Sequence, residues 1–247
     1  MKSHSKQTKV DLSIIIPAYR EAERIGGTLK QIAGYLKQHD LGNVEVAVVA
    51  NSHDPTAAKA RAKARLFRNF HLVDEGKPVG KGKAVAMGMQ KTSGSYKLFM
   101  DADLATPLHH LQTVSRYMKG GSDVIIGVRD LGKTHKGLRK FISSFGNLLV
   151  RLILRLSTKD TQCGFKAFRR EVAQDLFSAQ TIFGWGFDIE LLAVAKARGY
   201  SIQTIAINDW RDVAGGSFAN VATQAALSTF RDILKIKWQL IRGIYKR

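Results

Sequence analysis

Tyr96-Lys97-Leu98-Phe99-Met100-Asp101-Ala102-Asp103 reads as a buried strand that runs straight into two carboxylates one residue apart. Acids this close repel each other unless a cation neutralises them. Hard oxygen ligands where a strand leaves its sheet suit Mg²⁺ or Mn²⁺ holding a diphosphate. Taken alone, the same residues also suit a solvated turn, so the flanking sequence must decide. Short β-branched runs recur at residues 12–16, 44–49, 71–73, 124–126 and 202–207. Segments with apolar residues at three- and four-residue spacing fill most of the intervals, at 21–37, 56–67, 81–91 and 108–118. This alternation predicts an α/β fold, a mostly parallel sheet flanked by helices. Ligands of such sheets bind beyond the carboxyl ends of the strands, so the residues that follow each strand are the candidate site.

Composition narrows the class. The chain has 247 residues, 45% of them hydrophobic, with four prolines and one cysteine. That is enough apolar material for a full core, and too little proline for a disordered or collagen-like chain. A lone cysteine forms no internal disulfide, and no Cys/His cluster has zinc-site spacing, so a reducing compartment is expected. Residues 1–9 are polar and basic with no apolar signal-peptide core after them. The longest greasy stretch, 148–156, is broken by Arg151 and Arg155 and falls short of the roughly 18 apolar residues of a membrane span. A cytoplasmic protein is therefore expected.

The formal charge of +19 is unevenly placed. Residues 133–170 hold ten Lys/Arg against Asp160, and residues 223–247 hold six against Asp232. A polyanion, a phosphorylated substrate or an anionic membrane surface would use such charge. Gly215-Gly216 interrupts the α/β pattern, and 218–245 reads as one basic amphipathic helix. The expected organisation is thus a domain at 10–214 with an appendage at 215–247.

Two more strand edges bear on the site. The first strand ends in Ile16-Pro17-Ala18-Tyr19-Arg20-Glu21, which brings an aromatic and an acid to the ligand edge. Gly80-Lys81-Gly82 opens a helix and offers backbone N–H groups and a cation to an anion. Neither standard phosphate loop fits. Counted from Gly76, the Walker spacing puts Lys81 where glycine is required, and no G-x-G-x-x-G follows the first strand.

Together, residues 13–21, the Gly80-Lys81-Gly82 turn, 99–107 (F-M-D-A-D-L-A-T-P), 123–129 (D-V-I-I-G-V-R), 160–166 (D-T-Q-C-G-F-K) and 187–191 (F-D-I-E-L) resemble the family 2 glycosyltransferases of GT-A fold. The nearest branch is the polyprenyl-phosphate sugar transferases of the dolichyl-phosphate β-glucosyltransferase-like group. The resemblance covers about residues 10–212. It implies that Asp101 and Asp103 hold Mg²⁺ or Mn²⁺, and that Pro17, Ala18, Tyr19, Glu21 and Ala102 line the nucleotide-sugar pocket. It also implies that Lys81 and Arg129 neutralise donor phosphates. Gln162, Gly164, Lys166 and Trp185 fall on the acceptor side, and Asp188 and Asp160 compete for the catalytic place beside the acceptor. A plain N-cap is the other reading of Asp188.

One departure concerns the base. The family usually has Asp-Asp-Gly-Ser after the second strand, where this chain reads Val49-Ala50-Asn51-Ser52. Asn51 is left to hydrogen-bond where a carboxylate is missing. Cys163 reads as a buried hydrophobe, and His109 and His110 as solvated. Residues 138–156 and the C-terminal helix each pair an apolar face with cations, which suits either core packing or the membrane interface.

The resemblance leads to an inverting, metal-dependent hexosyltransferase acting from a nucleotide-diphosphate sugar onto a polyprenyl phosphate, peripherally attached to an anionic membrane surface on its cytoplasmic face. Relatives that glycosylate other lipids or saccharides form the nearest alternative. A basic nucleic-acid-binding module is the rival from another class, but no nucleic-acid motif is present and nucleic acid is not expected as a partner.

Overall fold

The computed structural model describes residues 9–74, 76–129, 150–211 and 222–246. In chain order the elements are β1 (Leu12–Ala18), α1 (Ile25–Gln38), β2 (Val44–Ala50), α2 (Pro55–Arg61), β3 (Asn69–Asp74), α3 (Lys81–Lys91), β4 (Tyr96–Met100), α4 (His110–Lys119) and β5 (Val124–Arg129). They continue with β6 (Phe165–Arg169), α5 (Arg170–Ser178), α6 (Phe187–Ala197), β7 (Ile202–Ile207) and α7 (Ala222–Ile241). The strands form one sheet in the order β3-β2-β1-β4-β6-β5-β7. The expected α/β sheet is present, and its central strands are buried on both faces because helices cover both. Along β1, Ile14 and Ile16 pack with α1 and α2, while Ile15 points to the opposite layer with α3 and α6.

β6 has no counterpart among the strand runs of the sequence. It inserts antiparallel between β4 and β5, pairing Tyr96 with Arg169 and Met100 with Phe165 on one side, and Val124 with Phe168 on the other. This reversal matters for the site. An antiparallel strand begins at the edge where its parallel neighbours end, so residues 158–164 enter the sheet beside the residues that leave β4 and β5.

Buried charges hold the opposite edge and the helix ends. Glu45 accepts hydrogen bonds from Ser13 Oγ (2.6 Å), Ser93 N (2.5 Å) and Gly94 N (2.9 Å) and pairs with His71. Burial alone would raise its pKa, but these donors outweigh it and keep the carboxyl below its ordinary value. Lys97 Nζ donates to the carbonyls of Met89 and Thr92 and so satisfies the otherwise open C-terminal end of α3.

One face of α7 joins the core. Ile233 and Ile236 are buried against the layer that contains α6, and the buried Tyr245 hydroxyl donates to Glu190 Oε1 at 2.6 Å. Glu190 also accepts the Thr181 and Ile182 N–H groups, which ties α6, α7 and the segment before α6 together. The Gly215-Gly216 break and residues 138–149 lie outside the described residues; of the described remainder of the 138–156 segment, 150–154 are helical.

Candidate functional site

The carboxyl edge of the sheet collects the expected residues in one place. Asp101 follows β4 directly, and its Oδ1 lies 2.6 Å from Lys81 Nζ at the first turn of α3. Gly80 caps that helix at φ +77°, a conformation favouring glycine, and a Cβ there would come within 2.9 Å of the Phe183 carbonyl. Asp103 accepts the Ala105 N–H at 3.0 Å, closing a tight turn in which Leu104 adopts φ +53°. Arg20, just after Tyr19, is likewise left-handed at φ +58°. Two non-glycine residues in this region, each beside an expected site residue, mark an edge whose backbone is held against its own preference.

The acids crowd each other. Burial first, and then the Asp101 charge, raises the pKa of Asp103. Glu21 is raised by burial together with Asp103, Asp101 and Asp54, against the opposing pull of Arg24, whose Nε lies 2.8 Å away. Neighbouring carboxylates that raise the pKa of Asp103 and Glu21 fit a hard divalent cation, which would reverse the repulsion. Asp101 and Asp103 have the chemistry to hold it.

β6 brings the other half of the site. The Asp101 N–H donates to the Gly164 carbonyl at 3.2 Å, and a Cβ at Gly164 would overlap the Asp101 carboxylate. Glycine is thus required for the 160–166 segment to lie against the acid. Gly164→Ala should leave the core intact, displace Asp101 and lower turnover by about 10²-fold, as ångström-scale misplacement of reacting groups does. Steady-state rates beside an unchanged far-UV CD spectrum check this, and a near-normal rate would show that the Asp101 position is immaterial.

Arg129, at the end of β5, grips the fully buried Asp160 through Nε (2.6 Å), Nη2 (3.1 Å) and its backbone N–H (3.1 Å). Desolvation works against both charges. The pairing prevails, lowering the Asp160 pKa and raising that of Arg129. The Gln162 N–H also donates to Asp160, while the Gln162 side chain is exposed. Arg129 lies 5.3 Å over the Trp210 ring.

Lys166 is fully buried, its Nζ bound to Asp188 Oδ1 (2.6 Å) and the Cys163 carbonyl (2.5 Å). Asp188, only 3% exposed, is the second residue of α6. The cap position belongs to Gly186, so Asp188 caps nothing. Burial raises the Asp188 pKa, with Lys166 and then Lys81 pulling it back. Asp101, Lys81, Asp188 and Lys166 therefore alternate in charge from the sheet edge into the protein. Exposed aromatics rim this edge: Tyr19 beyond β1, and Phe183 and Trp185 before α6, with Lys81 Nζ 6.0 Å over the Trp185 ring.

At the β2 end, Asn51 is buried and its Oδ1 accepts the His53 N–H at 2.9 Å. Val49 and Ala50 are buried in opposite core layers, so an acid at either would be a buried charge. Asp74, in register with Ala50 on β3, brings a carboxylate to this corner. Its Oδ1 accepts the Ser52 and Gly76 N–H groups, both at 2.9 Å. The Gly76 bond leads in holding its pKa below the ordinary value. Sequence reading passed over Asp74 because it stands at the end of an intermediate-burial strand with no motif around it.

Two further readings meet the structure differently. Cys163 is buried with its thiol pushed up to about 11, chiefly by burial, as a buried hydrophobe should be. His109 is exposed, but His110 is buried and bonded to Asp209 at 2.8 Å, so the expectation of a solvated pair holds for only one of them.

The profile of the family described as "Glycosyl transferase family 2" matches residues 13–177. A dolichyl-phosphate beta-glucosyltransferase of Trichomonas vaginalis is 31% identical over 222 residues, covering 84% of this chain and 68% of its own. That of Saccharomyces cerevisiae is 28% identical over 271 residues, covering 100% of this chain and 80% of its own. Among solved structures, glucosyl-3-phosphoglycerate synthase from Mycobacterium tuberculosis in complex with Mn²⁺, UDP and phosphoglyceric acid superposes with a TM-score of 0.66 at 20% identity, over 92% of this chain and 78% of that one. Mannosyl-3-phosphoglycerate synthase from Rubrobacter xylanophilus gives 0.70 at 16% identity, over 94% and 75%. The likeness to these structures is one of fold.

Proposed function

The chain belongs to glycosyltransferase family 2, and from that premise we propose that it transfers a hexose from a nucleotide-diphosphate sugar to a polyprenyl phosphate, with inversion, at a membrane surface. The observation that carries this reading is the meeting of Asp101, Asp103, Lys81 and the Arg129–Asp160 pair at one sheet edge. Acids for a metal and cations for phosphates stand together there, beside exposed aromatic rings.

Bound Mg²⁺ or Mn²⁺ on Asp101 and Asp103 would supply Lewis-acid neutralisation of the leaving diphosphate. The chain's own residues do the rest. Pro17, Ala18, Tyr19, Glu21 and Ala102 line the nucleotide end, and Asn51 with Asp74 faces the base. Lys81 and Arg129 offer positive charge to phosphate oxygens, in the place where charge develops as the anomeric bond to the diphosphate breaks. An oxygen of the acceptor phosphate forms the new bond to the anomeric carbon from the opposite side. That oxygen is already anionic, so no proton needs to be removed. Asp188 and Asp160 accordingly act as positioning residues. Asp188 holds Lys166 and lies near Lys81, and Asp160 holds Arg129. Gln162, Gly164, Lys166 and Trp185 shape the acceptor side.

A panel of nucleotide sugars with a short polyprenyl phosphate and Mn²⁺ or Mg²⁺ tests the reading. At least one donor should release its nucleoside diphosphate only when acceptor and metal are both present. Release from none of them would overturn it.

The membrane side of the proposal rests on α7. Phe230, Leu234, Trp238 and Ile241 recur at helical spacing on its outer face and are 42%, 49%, 50% and 74% exposed. Arg231, Lys235, Lys237 and Arg242 flank them. Among the described residues no helix is long and apolar enough to cross a membrane. An apolar stripe bordered by cations fits the boundary between acyl chains and anionic headgroups. Deleting residues 218–247 would strip Ile233, Ile236 and Tyr245 from the core, so substitutions make the cleaner test. Leu234→Ser with Trp238→Ser should weaken co-sedimentation with phosphatidylglycerol vesicles by at least about tenfold, given the area each side chain buries. Donor binding should be unchanged. Equal sedimentation of wild type and variant would remove α7 from the membrane contact.

A further inference from the structure

At the edge of the sheet beyond β7, on residues the proposed transfer does not use, His109, His110 and Asp209 present three ligand atoms within 4.8 Å of one another. His110 Nε2 lies 2.8 Å from Asp209 Oδ1, and His109 Nε2 lies 3.3 Å from Asp209 Oδ2. The two imidazoles stand against each other with centroids 4.2 Å apart, and both turn the same nitrogen to the same carboxylate. We propose that this cluster is a second metal site, separate from Asp101 and Asp103, that takes an imidazole-preferring divalent ion of the zinc class.

The donor set argues for that class. Two imidazoles and one carboxylate are borderline ligands that suit Zn²⁺, whereas Mg²⁺ and Ca²⁺ seek oxygen alone. Around tetrahedral zinc, ligand atoms stand roughly 3.4 Å apart, close to the two histidine–carboxylate distances of 2.8 Å and 3.3 Å here. The buried His110 fixes one ligand in place, while the exposure of His109 and Asp209 leaves an entry path and room for a water as fourth ligand. On binding, each histidine holds its remaining proton on Nδ1 and turns the Nε2 lone pair to the ion. The amino-terminal end of α4 opposes a cation here, and the Asp209 charge offsets it.

The ion would cross-link α4 to the segment after β7. That segment bears on the transfer site at two points. Trp210 lies under Arg129, and the Arg211 N–H donates to the Ala105 carbonyl at 2.9 Å, next to the turn that holds Asp103. Occupancy would therefore stiffen the neighbourhood of Asp103 and Arg129 without touching substrate.

Isothermal titration of tag-free protein with ZnCl₂, in MgCl₂ sufficient to occupy the acid pair, tests the site. One equivalent should bind, with a rise in thermal midpoint. His109→Gln and Asp209→Asn should each weaken binding by about tenfold or more, because loss of a ligand costs at least as much as loss of a group that merely orients one. His53→Gln, an exposed histidine elsewhere, should leave it unchanged. Absence of zinc uptake overturns the proposal. So does uptake that survives both substitutions, or that disappears in Asp103→Asn, since zinc would then sit elsewhere.

Discussion

Asp103→Asn should lower sugar transfer by about 10²- to 10³-fold at saturating Mn²⁺, the loss typical when a group stabilising developing charge is removed. The substitution isolates charge from shape. Asp103 Oδ1 accepts the Ala105 N–H, and an asparagine carbonyl can accept the same bond, so the turn after β4 should survive. Stability should hold or rise slightly. Asp103 is raised in pKa by burial and by Asp101, and it in turn raises Glu21, so its charge is a liability to the folded chain when no cation is bound. Initial rates with varied Mn²⁺, set beside a urea melt, read both effects. Near-normal turnover would remove Asp103 from the reaction, and a large loss of stability would mark it as structural.

Lys166→Met should cost about 3–5 kcal/mol of folding stability, the usual consequence of stranding one member of a buried ion pair. Lys166 is fully buried with Asp188 at 2.6 Å. Without the ammonium, Asp188 keeps its burial but loses the partner that most opposes it. A carboxyl whose folded pKa lies above its unfolded value contributes stability below the unfolded value and loses it as pH rises through the folded one. The deficit of the variant should therefore shrink as pH falls from neutrality towards the ordinary aspartate value of 3.8. Replacing both partners, Lys166→Met with Asp188→Leu, should recover most of the stability and none of the activity. Urea titrations at several pH values measure all three. A single-variant cost under about 1 kcal/mol, the range of surface pairs, would show that the pair is not a buried one.

The parallel strands were legible because each is a short apolar run followed by a polar break, and the edge residues were legible because such sheets bind ligands there. Asp101 and Asp103 could be picked out on that ground and Lys81 from the glycine-flanked start of a helix, whereas Arg129 was legible only through the family resemblance. β6 escaped for a physical reason. Phe165-Lys166-Ala167-Phe168-Arg169 carries a lysine at its second position and passes into α5 with no turn, so nothing local separates it from a loop or a helix start. Only the place between β4 and β5, and the Asp188 carboxylate from a helix 22 residues away, makes that lysine a core residue. The contact of Gly164 with Asp101 and the Arg129–Asp160 pair, 31 residues apart, follow from the same inserted strand. In α7, the apolar pattern correctly indicates a helix, but periodicity alone does not say that Ile233 and Ile236 face the core while Leu234 and Trp238 face outward.

The most direct measurement follows labelled sugar into the organic phase, with wild-type protein, Mn²⁺ and the donor that the panel selects, using polyprenyl phosphate in one arm and the phosphate-free alcohol of the same chain length in the other. Label should enter lipid only in the phosphate arm, in the inverted configuration, and Asp103→Asn should lower its rate of entry by the same factor of about 10²- to 10³-fold. Equal labelling of the alcohol, or sugar released to water with no labelled lipid in either arm, would contradict transfer to a lipid phosphate.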